Sequence, residues 1–203
     1  CRRCREWPVT IRGNAYTITT RNSKSGTPVR QATYYLGDHL AARGLSVEYH
    51  EWNINRPPNV IGQLTGQSRP ADIYMVTAHL DDMPDGLLAP GADDNASGSA
   101  AVLVAADILS QYRWDCTLRF ALWTGEEQGL LGSNAYAERA AAQSENILGV
   151  LNFDMIAWNT LGSAPDIDLH AAAIRPATVE LANQFASVIG AYGLNLIPEV
   201  RTD

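Results

Sequence analysis

The chain has 203 residues, 46% of them hydrophobic and 18% charged, with a formal net charge of −7. That length supports a sizeable core without disulfide stapling. No apolar run approaches the roughly 20 residues of a membrane helix, and the acidic balance argues against nucleic acid as the main partner.

Residues 1–28 hold much of the local basic charge (Arg2, Arg3, Arg5, Arg12, Arg21, Lys24) and read as an N-terminal segment with an edge strand at 15–20. Cys1-x-x-Cys4 has no second pair and Cys116 stands alone. A zinc ribbon is therefore not indicated, and a local disulfide or free thiols is the simpler reading. A domain follows over 29–203. Pro28 starts a helix that runs to about Arg43 and stops at Gly44, with Tyr35, Leu36, His39 and Leu40 at helical spacing. His39 reads as a helix-face histidine. Residues 45–52 alternate as a strand, with His50 and Glu48 on its solvated face. Strands are expected at 59–65 and 73–78, with a turn at 66–70 between them. A helix runs from Ser97 to about Tyr112, where Gly91 and Gly98 let its start approach another element closely. A strand at 118–124, a helix at 131–142, a strand at 147–153 and a short strand at 166–170 come next. A helix over 177–191 ends at Gly193, and 195–203 shows no closing element. Strands alternating with helices predict a three-layer α/β/α sandwich around a central mixed, mostly parallel sheet.

Three apolar runs end in residues that hold metals: His79-Leu-Asp81, Gly125-Glu-Glu127 and Asp154. Open α/β sheets bind ligands at the carboxyl ends of their strands, and His with carboxylates, without thiolate, suits zinc. Asp81, Asp82, Asp85, Asp93 and Asp94 crowd one short stretch, which repels itself unless cations or solvent relieve it. In extended chain, positions i and i+2 face the same way, so Asp81 could orient the His79 ring; a surface pair is the plainer alternative. Asp93 and Asp94 precede a helix start, where carboxylates cap free N–H groups. Asn95 or Ser97 could do that capping instead, leaving one aspartate to bridge two cations. Of Glu126 and Glu127, one could bind metal while the other serves as general base; an ordinary loop pair is the alternative. Asp154 after an apolar strand is costly to bury unless paired. Ser97, Ser99 and Ser133 lack a placed His partner, and there is no G-x-S-x-G and no phosphate loop.

As a set, His79-Leu-Asp81, Pro90-Gly-Ala-Asp-Asp-Asn-Ala-Ser-Gly98, Thr124-Gly-Glu-Glu-Gln-Gly-Leu-Leu-Gly-Ser133 and Asn152-Phe-Asp-Met155 resemble the di-zinc aminopeptidase family. Secreted bacterial leucyl aminopeptidases belong to it, and glutamate carboxypeptidases and glutaminyl cyclases are relatives. The resemblance covers about residues 30–203. It implies a metal-dependent exopeptidase with two zinc ions that acts on peptide or protein N-termini. His79 and Asp154 would bind one zinc, Asp93 would bridge both, and Glu127 would bind the second. Glu126 would be the general base, Asp81 would orient His79, and Asp94 would support the site from behind, beside an unusual peptide bond. The family's fifth ligand, a downstream His, has no counterpart; His170 reads as structural. The chain is thus expected to be incomplete at its C-terminal end, with a second metal site short of one ligand. A glutaminyl cyclase, or a non-catalytic binding domain on the same fold, is the alternative. The resemblance also implies a secreted, periplasmic or cell-surface location. No oligomer seam is legible.

Overall fold

The computed structural model describes residues 8–84, 86, 88, 89 and 91–202. Cys1, Cys4, Asp85 and Pro90 lie outside these. The chain divides into two units, Cys1–Met155 and Ile156–Asp203. The break thus falls after Met155 and not near residue 28. Residues 8–28 belong to the first unit because they are tied into it: the Arg12 amide donates to Asp38 Oδ2 at 2.6 Å and the Ser23 amide to the Asp82 carbonyl at 2.9 Å.

In the first unit, β1 (Val9–Ile11) and β2 (Asn14–Tyr16) form a small hairpin, shorter and earlier than the expected edge strand. Then come α1 (Thr27–Ala42), β3 (Ser46–His50), β4 (Asn59–Leu64), β5 (Arg69–His79), α2 (Ala96–Leu109), β6 (Cys116–Trp123), α3 (Leu131–Ala142) and β7 (Asn146–Asn152). The sheet order is β3-β4-β6-β5-β7. β3, β4 and β6 pair antiparallel, while β5 lies parallel to both β6 and β7. The sheet is mixed, and its parallel part is the half that carries the metal-capable residues.

Alternation along the strands sends side chains to two cores. Phe120 and Leu122 of β6 face Leu36 and Leu40 of α1 and Val102 and Ala106 of α2. Ala121 and Trp123 face Tyr136 and Ala140 of α3. Helices therefore cover both faces, as the three-layer expectation requires. His50 departs from its solvated reading. It is half-buried, packs edge-on against Tyr136 with ring centroids 5.8 Å apart, and meets Asn59 Nδ2 at 3.1 Å.

Within the second unit, β8 (Asp166–Ala171), α4 (Pro176–Ala191) and β9 (Ile197–Thr202) form a β-α-β unit with parallel strands. β9 corrects the expectation that 195–203 holds no element. Pro198 removes a donor from this short strand, which weakens its signal in the sequence. No helix among the described residues is long and apolar enough to cross a membrane.

α2 starts hard against the end of β7. A Cβ on Gly98 would stand 2.4 Å from both Asn95 Oδ1 and the Phe153 carbonyl oxygen, so Gly98→Ala is expected to cost about 1–3 kcal/mol by overpacking. Gly190 of α4 has nothing within 4 Å of its Cβ position, and Gly190→Ala should be neutral or slightly stabilising. Denaturant unfolding of the two variants checks the contrast.

Candidate metal centre

β5 lies between β6 and β7 and runs parallel to both, with α2 and α3 leaving in opposite layers. Such a switch point leaves a crevice at the strands' carboxyl ends. His79 is the last residue of β5 and is 3% exposed. Glu126 and Glu127 sit in a 3-10 turn just past β6, with Gly125 before it at φ 75°. Asp154 follows β7. The Leu80 amide bonds the Trp123 carbonyl and the Phe153 amide bonds the Thr77 carbonyl, at 2.8 Å each, so the three strand ends stay in register.

Three carboxylates surround one imidazole nitrogen. From His79 Nε2, Asp94 Oδ1 is at 3.1 Å, Asp154 Oδ1 at 3.5 Å and Glu126 Oε2 at 3.9 Å. His79, Asp94 and Asp154 form one group able to hold a metal ion, and His79, Glu126 and Glu127 form another. The other ring nitrogen, Nδ1, stands 2.9 Å from the Asp81 backbone carbonyl. A carbonyl only accepts, so Nδ1 carries the proton, and Nε2 is the atom that can offer a lone pair to a metal.

Asp81 holds the ring differently from the sequence expectation. Its carboxylate is 3.9 Å from Nδ1, and the main chain makes the hydrogen bond instead. Asp81 Oδ1 accepts the Glu126 amide at 3.2 Å, which ties the end of β5 to the glutamate turn. The other oxygen, Oδ2, is buried with no hydrogen-bond partner. Burial raises the Asp81 pKa, opposed by the Glu126 amide and by His79.

Asp93, expected as the bridging carboxylate, does not join either group. Ser97 Oγ lies 2.8 Å from its carbonyl and 3.1 Å from its Oδ1, so Asp93 is engaged with the start of α2. Asp94 stands at His79 in its place, next to a cis Asp94–Asn95 peptide bond. Asn95 is the helix cap: its Oδ1 accepts the Gly98 amide at 2.8 Å. Its Nδ2 donates to the Phe153 carbonyl at 2.9 Å, which joins the aspartate loop to the strand end beside Asp154.

Arg21 is a site residue that the sequence reading left among the N-terminal basic charges. Its guanidinium donates to the Leu80 carbonyl at 2.9 Å and to the Gly91 carbonyl at 2.7 Å, bracing the aspartate loop against the end of β5. Burial pulls its pKa down, and Asp82, Asp81 and Asp94 oppose that. His170 lies on β8 in the second unit, and Ser99 Oγ donates to the His79 carbonyl at 2.9 Å. An apolar cavity of about 320 Å³ adjoins His79, Glu126 and Asp154, lined by Met75, Trp123, Leu130, Tyr136, Ile147 and Val150.

The donor set suits a hard or borderline cation. Carboxylates packed this closely repel one another, and Asp81 contributes a buried oxygen without a donor. Burial raises the pKa of Glu127, and Asp94 and Glu126 add to the rise. Burial alone would lower His79, but Asp154, Glu126 and Asp81 outweigh it and hold the imidazole up at about 9. The metal-free site therefore keeps a proton on Nε2 where a cation would sit. A metal must displace that proton, so zinc affinity is expected to rise with pH up to about 9 and then level off. Calorimetry at pH 7.5 in buffers of different ionisation enthalpy should show proton release on zinc addition. Buffer-independent heats would contradict this.

With this geometry in view, similarity to known proteins is specific. The model of peptidase family M28 matches residues 59–203. An aminopeptidase of Pseudomonas aeruginosa is 41% identical over 106 residues, 52% of this chain and 19% of that protein. A probable zinc metalloprotease of Leptosphaeria maculans is 33% identical over 150 residues, 70% of this chain and 35% of that protein. Among solved structures, the zinc aminopeptidase BSAP of Bacillus subtilis aligns with TM-score 0.58 at 26% identity, over 71% of this chain and 35% of its own. The Legionella pneumophila aminopeptidase LapA aligns with TM-score 0.75 at 20% identity, over 90% and 51%, a likeness of fold. The chain spans from 19% to 35% of the length of these curated relatives. The match to the family model covers most of the chain, and the chain belongs to peptidase family M28.

Proposed function

We propose that the chain carries the catalytic centre of a zinc-dependent aminopeptidase. The observation behind this is the convergence of Asp94, Asp154 and Glu126 on His79 Nε2 within 3.9 Å, supported by the zinc aminopeptidase and zinc metalloprotease names of its relatives. His79, Asp94 and Asp154 would hold one ion, and Glu127 would hold a second. Asp94 would take the bridging role that the sequence reading gave to Asp93, because its charge acts on both His79 and Glu127. Bound zinc supplies Lewis acidity and lowers the pKa of water at this point.

The chain's own residues supply the rest. Asp81 fixes the His79 tautomer through its carbonyl and holds the Glu126 amide through its carboxylate. Glu126 is partly exposed beside the cluster, where it can take a proton from the attacking water and return it to the leaving amine. The surplus negative charge favours a substrate's free α-ammonium group, which supports action at N-termini over C-termini. The adjoining apolar cavity offers space for a substrate side chain. Neither a glutaminyl cyclase nor a binding domain is favoured by any feature of the site.

Hydrolysis of aminoacyl-anilides should be lost with a chelator and restored by zinc. Glu126→Gln should lower kcat by about 100- to 10,000-fold while zinc content stays at the wild-type level. A Glu126→Gln variant of undiminished kcat would overturn the assignment.

A further inference from the structure

The turn that carries Glu126 and Glu127 is held from two sides. On the metal side, Asp81 takes the Glu126 amide. On the other side stands Asn59, the first residue of β4, fully buried. Its Oδ1 accepts the Thr124 amide at 2.9 Å, and its Nδ2 donates to the Gly132 carbonyl at 2.8 Å. Thr124 opens the loop that contains both glutamates, and Gly132 lies in the first turn of α3 just past it. The side-chain orientation is fixed, because only the oxygen can meet an amide and only the nitrogen can meet a carbonyl. His50 Nδ1 takes the second Nδ2 proton at 3.1 Å. Trp52 adds to the clasp by donating from Nε1 to Thr124 Oγ1 at 2.9 Å, and that hydroxyl donates onward to the Pro57 carbonyl at 2.8 Å.

The fit is close. A Cβ on Gly132 would stand 2.3 Å from Asn59 Oδ1, and one on Gly125 would stand 3.0 Å from the Trp52 ring. The loop already closes on itself, through the Gly132 amide and the Thr124 carbonyl at 3.1 Å. Asn59 is therefore not needed merely to form the loop. It fixes the closed loop to the antiparallel half of the sheet, opposite the point where Asp81 fixes it to the metal half. With both anchors in place, the two glutamates have a set position relative to His79.

We propose that Asn59 is a positioning residue for the Glu126–Glu127 turn, with Trp52 as its auxiliary, and that it acts on the second metal and on proton transfer while leaving the His79–Asp94–Asp154 group intact. This rests on the reading of Glu127 as a ligand and Glu126 as the base. Asn59→Leu keeps the number of side-chain heavy atoms and removes every side-chain hydrogen bond; Trp52→Phe keeps an aromatic ring and removes one. Each is compared with wild type by amide exchange of the metal-free protein, by zinc titration, and by the split between kcat and KM. Exchange should rise about tenfold or more at Thr124–Gly132 while β5 stays protected. The weaker zinc-binding step should lose about 10–100-fold in affinity, with the tighter step unchanged. kcat should fall at unchanged KM. If Asn59→Leu does not fold, Trp52→Phe is read by the same criteria with smaller shifts. Parallel loss of protection in β5 and the loop, equal weakening of both zinc steps, or no change in any of them overturns the proposal. If wild type takes up no zinc, the proposed function fails, and the exchange pattern alone still decides whether Asn59 positions the loop.

Discussion

Electrostatic repulsion among carboxylates is the constraint on which this structure turns. Asp94, Asp154 and Glu126 stand within 3.9 Å of one imidazole nitrogen, with Glu127 beside them and Asp81 buried behind. Positive charge held at its centre relieves such a cluster where solvent alone reaches it only in part. Without metal, the His79 proton supplies it, which is why the imidazole is held near 9. With metal, that proton gives way. The hydrogen bond from Nδ1 to the Asp81 carbonyl serves in both states, because it leaves Nε2 as the atom that faces the cation.

The scaffold makes the crowding possible by distributing it. His79 ends one strand, Glu126 and Asp154 follow two others, and the strands are parallel neighbours with ends tied by backbone hydrogen bonds. Asp94 comes from the loop before α2, which Arg21 braces from one side and Asn95 from another. The glutamate turn has two anchors of its own, Asp81 and Asn59. Each carboxylate is thus supported by a separate piece of backbone. Rigid sheet and helix hold together charges that would push flexible loops apart.

Much of this was legible in the sequence because it is local. The helix at 131–142 coincides with α3, and the apolar runs ending in His79, Glu126 and Asp154 did mark strand ends at one edge. What was misread depends on direction within a loop. Spacing placed Asp93 and Asp94 correctly before the helix but could not say which one faces His79. That follows from Asn95 capping α2 and from Asp93 meeting Ser97. The same limit applies to Asp81, whose backbone carbonyl does the work expected of its carboxylate. Arg21 and Asn59 were missed because the partners that tie them to the site lie 59 to 73 residues away. A lone Arg in a basic segment and an Asn opening an apolar strand carry no local signature. β9 was missed because Pro198 interrupts its alternation.

On the proposed function, Asp94 and His79 would share a cation while Asp93 serves the helix. Zinc bound per chain, measured on purified Asp94→Asn and Asp93→Asn proteins against wild type, tests it most directly. Asp94→Asn should weaken zinc binding by at least about 10–100-fold, and Asp93→Asn should bind as wild type does. Full zinc binding by Asp94→Asn, with loss in Asp93→Asn, would overturn this assignment of the two aspartates.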